Sequence, residues 1–275
     1  MKKKLLIVLF FLFTSFFVNA QDQLVIKAAT IPSPDTVWVF RPSNPTQKKT
    51  PLLFLLHGWS GSYKQWNSII DLQQLADNYG FHIVCPDGFY DSWYVNSTFD
   101  RKRQFTSFFF DKLYPEIVSN YPVDTSQVFI SGLSMGGHGA LSLYCERPDL
   151  FKSAGSTSGG VDLSVIGTFK NQYGINKILG SFNESKATWA HFSVLTKIER
   201  LNGLNKEFIF DCGTEDFFYT ANNALRAKCD ELKIKATYIS QPGNHNREYW
   251  KKSIVQHMLF FKELIQSSHN QVKSE

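Results

Sequence analysis

Gln127-Val128-Phe129-Ile130-Ser131-Gly132-Leu133-Ser134-Met135-Gly136-Gly137-His138-Gly139-Ala140-Leu141-Ser142-Leu143 decides the fold. An apolar strand runs into a sharp turn flanked by glycines, then into a helix, with Ser134 at the apex. The Gly-x-Ser-x-Gly spacing is a nucleophile elbow: only small neighbours tolerate the strained turn that lifts the serine hydroxyl clear of the sheet. Five residues of this kind occur by chance, but the strand before and the helix after them do not usually accompany a coincidence.

The flanking sequence alternates strands and helices, as a mostly parallel sheet with helices on both faces requires. Leu24 to Ala29 and Thr36 to Phe40 read as an opening strand pair. Pro51-Leu52-Leu53-Phe54-Leu55-Leu56 is a continuous apolar run, the mark of a strand buried on both faces. Trp66 to Tyr79 has helical spacing, Phe81 to Cys85 is the next strand, and Gln104 to Ser119 the next helix. After the elbow come strand candidates at 151–156, 207–211 and 236–240, with helices over Thr220 to Lys233 and Arg247 to Leu264. Between Gly159 and Trp189 the alternation breaks down into Gly, Ser, Asn and Lys, which inside a compact domain marks a functional excursion. The fold class is α/β, of the α/β-hydrolase type.

The first residues lie outside that pattern. Lys2-Lys3-Lys4 precede an apolar stretch from Leu5 to Val18, and Val18-Asn19-Ala20 offers the small residues a signal peptidase needs. Residues 1–20 are expected to be a signal peptide cleaved after Ala20, leaving 21–275 as one domain, exported to the periplasm or the medium. The apolar run is short for a bilayer-spanning anchor. Three lysines leave with it, so the formal charge of +5 falls to about +2, which gives no electrostatic reason to expect nucleic acid. Arg101-Lys102-Arg103 reads as a solvated loop edge. Cys85, Cys145, Cys212 and Cys229 fit no metal spacing, and no disulfide is assigned. Asn96-Ser97-Thr98 and Asn183-Glu184-Ser185 fit the glycosylation sequon, which matters only in a eukaryotic secretory route.

A serine hydroxyl is a poor nucleophile until a base takes its proton, so Ser134 calls for a histidine and an acid that orients it. In this fold type the acid and then the histidine follow the serine, each just past a strand end. Asp216, in Cys212-Gly213-Thr214-Glu215-Asp216, is the preferred acid; Glu215 and Asp211 are rivals, and a helix cap near Phe218 is the bland alternative for Asp216. His245 is the only histidine in the loop after the last strand. His57 is read as shaping a loop and His138 as packing, while His82, His191, His257 and His269 carry no motif. No His-Glu-x-x-His or comparable spacing exists, and the chemistry needs no metal or cofactor. The oxyanion of the tetrahedral intermediate calls for two backbone N–H donors. Met135, following the nucleophile, and Trp59, in His57-Gly58-Trp59-Ser60-Gly61-Ser62, are the candidates.

With these residues placed, the chain resembles the esterase D-type branch of the α/β-hydrolases, which includes short-chain esterases, carbohydrate esterases and, more distantly, mycolyltransferases. The resemblance spans nearly all of 21–275. It rests on Leu56-His57-Gly58-Trp59-Ser60-Gly61, Pro86-Asp87-Gly88, Ser92-Trp93-Tyr94-Val95-Asn96-Ser97, the elbow, Cys212 to Phe217, and His245 through Tyr249-Trp250. It implies Ser134, Asp216 and His245 as a triad, Trp59 and Met135 at the oxyanion, and Trp93 and Tyr94 near the pocket rim. Where the family often has Gly-Gly-His followed by tryptophan, this chain has Gly243-Asn244-His245-Asn246-Arg247, putting a positive charge near the substrate. The expected activity is cleavage of small-molecule or carbohydrate-linked carboxylic esters, acetyl or feruloyl groups first. A general short-chain esterase and an acyltransferase of the mycolyl type are the alternatives. A serine peptidase would need an added domain that so short a chain lacks, and a non-catalytic binding protein would show a broken triad.

Overall fold

The apolar runs assemble into one eight-stranded sheet because each alternates its side chains between two helical layers. The computed structural model describes residues 21–272; the expected signal peptide, residues 1–20, lies outside the described residues. The strands are β1 (Gln21–Ile26), β2 (Asp35–Phe40), β3 (Thr50–Leu56), β4 (His82–Pro86), β5 (Val123–Gly132), β6 (Ser153–Thr157), β7 (Glu207–Gly213) and β8 (Lys235–Gln241). They lie in the order β1-β2-β4-β3-β5-β6-β7-β8, with β2 antiparallel to both β1 and β4 and every later pairing parallel. This is the mostly parallel sheet expected of an α/β-hydrolase.

The helices are α1 (Gln65–Ile69), α2 (Leu72–Tyr79), α3 (Phe105–Phe108), α4 (Tyr114–Asn120), α5 (Met135–Glu146), α6 (Leu163–Gly167), α7 (Asn176–Leu179), α8 (Lys186–Phe192), α9 (Val194–Lys197), α10 (Tyr219–Leu232) and α11 (Arg247–Val272). In β3, Leu52, Phe54 and Leu56 face the layer of α3, α5 and α10, while Leu53 and Leu55 face that of α1, α2 and α11. The period of two thus splits a run that reads as uniformly apolar. On α11, Ile254, Met258 and Phe261 form the buried stripe that faces the sheet from this second layer.

Of the helices read as continuous, one is broken and one stays helical throughout but widens part-way. Trp66 to Tyr79 divides at Ile70, which is extended (φ −145°, ψ 145°), because the Asp71 carboxylate caps α2 by accepting from the Gln74 N–H at 3.0 Å. Gln104 to Ser119 becomes α3, a π-helical turn over Phe109–Leu113, and α4. Pro115, at the start of α4, has no N–H to continue the regular ladder. The excursion after Gly159 carries α6, α7 and most of α8 rather than irregular chain alone, and it seats Trp189 in the core. All four cysteines are buried free thiols. No helix among the described residues is long and apolar enough to cross a membrane.

Candidate active site

The parallel strands β3, β5, β7 and β8 all point the same way, so the loops leaving their C-terminal ends meet at one edge. Trp59, Ser134, Asp216 and His245 lie in those four loops. At the elbow Ser134 has φ 54° and ψ −115°, a conformation that costs a non-glycine residue roughly 1–3 kcal/mol. The turn is held by the Ser134 N–H donating to the Thr157 carbonyl at 2.9 Å and the Gly136 N–H to that of Leu133 at 2.7 Å. A side chain at Gly132 would fall on the Gly136 carbonyl, and one at Gly136 on that of Leu56. Both glycines are therefore demanded by close backbone packing.

His245 Nε2 lies 3.0 Å from Ser134 Oγ, and His245 Nδ1 lies 2.9 Å from Asp216 Oδ2. The other Asp216 oxygen accepts the Phe218 N–H at 2.8 Å. The cap role and the histidine contact thus coexist, one oxygen for each. Glu215 is exposed, and Asp211 is still on β7, turned into the core against His257. The loops carrying Asp216 and His245 are bonded to each other, the Glu215 N–H donating to the Gly243 carbonyl at 2.9 Å. A side chain at Gly213 would collide with that same Gly243 carbonyl.

The Trp59 and Met135 amides have no acceptor among the described loop and turn hydrogen bonds. Met135 also opens α5, whose N-terminal end favours developing negative charge. The Gly58 N–H donates to Gln65 Oε1 at 2.7 Å, fixing the loop before Trp59. His57 is a loop-former: burial pushes its pKa down to about 4, and its ring nitrogens lie against the carbonyls of Gly58 and Asp87. His138, also pushed to about 4 by burial, lies against the Trp93 and Phe192 carbonyls.

A cavity of about 180 Å³ opens over Ser134, lined by Gly58, Trp59, Gln65, Trp93, Leu133, Tyr173, Phe217, Phe218, His245 and Trp250. Of the pair expected at the rim, Trp93 lines it and Tyr94 does not. Tyr94 is wholly buried, its hydroxyl donating to the His57 carbonyl at 2.9 Å, because Gly88 and Gly139 leave room for its ring beneath the loop. Arg247 does not reach the cavity either; its guanidinium donates to the Ser68 carbonyl. Gln65, Tyr173, Phe217, Phe218 and Trp250 join the cavity wall beyond the residues expected from sequence. Phe217 and Trp250 fall within the stretches carrying the family resemblance, whereas Tyr173 lies in the excursion, where no periodicity exists to place it.

A series of aromatic contacts runs through the cavity wall. Tyr90 packs on Trp59 (5.1 Å between centroids), Trp59 on Tyr173 (5.1 Å), Tyr173 on Phe169 (5.6 Å) and Phe169 on Phe217 (5.9 Å). Phe217 then packs on His245 (4.3 Å) and His245 on Trp250 (5.1 Å). Tyr173 is held in place by strain and by contact: Gln172, Tyr173 and Gly174 are consecutively left-handed (φ 46°, 43° and 75°), and the Tyr173 carbonyl accepts the Trp93 indole N–H at 3.0 Å. Among the described residues no group of three His, Cys, Asp or Glu side chains is placed to hold a metal ion.

Residues 28–261 match the family described as "Putative esterase". The chain is similar to S-formylglutathione hydrolase of Arabidopsis thaliana, 25% identical over 241 residues that cover 79% of this chain and 83% of that protein. It is similar to acetyl esterase of Caldicellulosiruptor saccharolyticus, 25% identical over 220 residues, covering 74% and 80%. Among solved structures, the fluorophosphonate-binding serine hydrolase F of Staphylococcus aureus superposes with a TM-score of 0.77 at 20% identity, covering 88% of this chain and 98% of that one.

Proposed function

The chain belongs to this esterase family and is a serine ester hydrolase, and from that premise we propose that it cleaves acetyl or feruloyl esters carried on carbohydrate, outside the cytoplasm. Ser134 Oγ attacks the ester carbonyl while His245 Nε2 takes its proton. Asp216 holds the imidazole tautomer and stabilises the imidazolium. The Trp59 and Met135 amides receive the oxyanion. Collapse of the intermediate expels the alcohol, protonated by His245, and leaves an acyl-Ser134 that water hydrolyses by the reverse relay.

The observation that carries this reading is the Ser134–His245–Asp216 chain, with separations of 3.0 and 2.9 Å, opening into an aromatic-walled cavity. No Lys, Arg, Asp or Glu lines that cavity. A glutathione thioester would bring carboxylates and an ammonium to walls that offer them no partner. A planar aryl group or a sugar face finds rings to stack against. The resemblance to acetyl esterase supports the acetyl half of the proposal, and the residues read as a signal peptide support export.

The test is release of ferulate and of acetate from feruloylated and acetylated xylan fragments, with p-nitrophenyl acetate and S-formylglutathione alongside. Preference for a xylan ester supports the proposal. Equal indifference to both xylan esters, with rapid p-nitrophenyl acetate turnover, favours a general short-chain esterase. Transfer of the acyl group to an added alcohol in preference to water favours an acyltransferase.

A further inference from the structure

Beneath the elbow, on the α11 side of the sheet, lies a second array of serine, histidine and aspartate that the mechanism above does not use. His257 Nδ1 is 2.9 Å from Ser131 Oγ, and His257 Nε2 is 2.7 Å from Asp211 Oδ2. The same carboxylate oxygen accepts the Ser253 hydroxyl at 2.5 Å, and Ser253 Oγ lies 2.5 Å from Thr157 Oγ1. All five residues are fully buried, and none lines the cavity over Ser134. With the Nε2 proton given to Asp211, Nδ1 accepts from Ser131, so its neighbours fix the tautomer. The array has no room for a substrate and is no second catalytic centre.

Its value must be weighed against its cost. Buried polar networks of this kind are often matched or bettered in stability by apolar residues of the same volume. The surrounding layer of Phe129, Ile209, Ile254 and Met258 shows that such packing was available. The strand between the partners is also shaped to admit the array: a side chain at Gly155 would come within 2.5 Å of His257 Nδ1 and 2.8 Å of Ser131 Oγ.

Each member belongs to an element that delivers part of the active site. Ser131 is on β5, which ends in the elbow. Asp211 is on β7, which ends in the turn to Asp216. Thr157 closes β6, and its carbonyl accepts the Ser134 N–H. His257 and Ser253 are on α11, which opens just after His245. Directional hydrogen bonds fix such elements to one another more sharply than apolar contact does.

We propose that Asp211, His257 and Ser131 are positioning residues, which lock β5, β7 and α11 in the one arrangement that brings Ser134, His245 and Asp216 into line. This rests on the triad reading of the preceding section.

The experiment compares wild type, His257→Leu, His257→Gln and Ser131→Ala by thermal melting, by p-nitrophenyl acetate turnover per titrated serine, and by the rate at which a fluorophosphonate labels Ser134. Displacing a reacting group by about 1 Å costs on the order of a hundredfold, so kcat and labelling rate of His257→Leu should fall about ten- to a hundredfold while KM stays within about twofold. His257→Gln keeps a donor for Asp211 and should recover much of the loss; Ser131→Ala should lose severalfold. Normal kcat and labelling per titrated serine in both Ser131→Ala and the folded His257 variants, whatever their melting temperatures, would reduce the array to a stability element and overturn the proposal. If His257→Leu does not fold, Ser131→Ala and His257→Gln decide it by the same rates. A wild type that neither turns over nor is labelled would instead bring down the triad reading, and this inference with it.

Discussion

Asp216 divides its two oxygens between the histidine and the Phe218 amide, so its removal has two consequences that substitution can separate. Asp216→Asn keeps an acceptor for the amide but presents the wrong partner to His245 Nδ1, and kcat should fall about 10⁴-fold with a native melt. Glu215→Gln, at an exposed position, should remain near wild type; the reverse ranking in a steady-state assay would move the acid role to Glu215. Ser134→Ala should lose on the order of 10⁶ in kcat, and near-normal turnover of p-nitrophenyl acetate by that variant would refute the acyl-serine mechanism. The positions of these three residues were legible because each stands just past a strand end, where motif and chain order agree. Tyr94 was not legible: a tyrosine beside Trp93 reads as a pocket residue until the glycines that admit its ring beneath the loop are seen. Nor were Asp211 and His257, since one polar residue in an apolar strand or stripe gives no clue to its partner.

Among the elements, the central strands β3, β4 and β7 emerged from the sequence nearly as they fold, because burial on both faces leaves a run of apolar residues that few other structures share, whereas β1, part-exposed, lies three residues earlier than its reading. Helix detail did not emerge, since Asp71 starts a new helix and Pro115 withholds an N–H from the ladder, and neither disturbs the apolar spacing. The excursion was marked by its lack of pattern, yet that lack concealed the turn that delivers Tyr173 to the cavity wall. Gly174 in that turn has φ +75°, and a side chain there would meet the Asp91 carboxylate at 2.6 Å. Asp91 is itself bonded to Arg103 and Lys177, both at 3.1 Å, so it has little freedom to withdraw. Gly174→Ala should therefore displace Tyr173 and raise KM for a bulky aryl ester by about tenfold, the equivalent of roughly 1.4 kcal/mol, with p-nitrophenyl acetate little affected. Unchanged KM for both substrates would show that Tyr173 takes no part in binding.

At the scale of the whole molecule, buried ionisable groups set the response to acid. Burial pushes His57, His82 and His138 each down to about 4. A histidine whose pKa is depressed on folding contributes stability that is present above its unfolded value, near 6.5, and is lost as the pH falls through 4. Asp35 acts in the opposite sense: burial raises it to about 7, so its contribution is greatest in acid and declines as the pH rises from 4 to 7. Burial raises the neighbouring Asp87 as well, but the three buried histidines outweigh this pair, and the melting temperature should fall between pH 7 and pH 4.5. A melting temperature that holds or rises over that interval in calorimetry would refute this balance.

The aromatic wall over Ser134 has an optical consequence. Of the six tryptophans in the chain, Trp59, Trp93 and Trp250 line the cavity, while Trp38, Trp66 and Trp189 do not. Half of the indoles therefore stand where a ligand would lie. A conjugated aryl acid such as ferulate, which absorbs in the range where indole emits, would quench the protein's emission by energy transfer as it enters, Trp59, Trp93 and Trp250 most strongly because they are nearest. Occupancy of the site is thus readable from the protein's own light, with no label and no turnover.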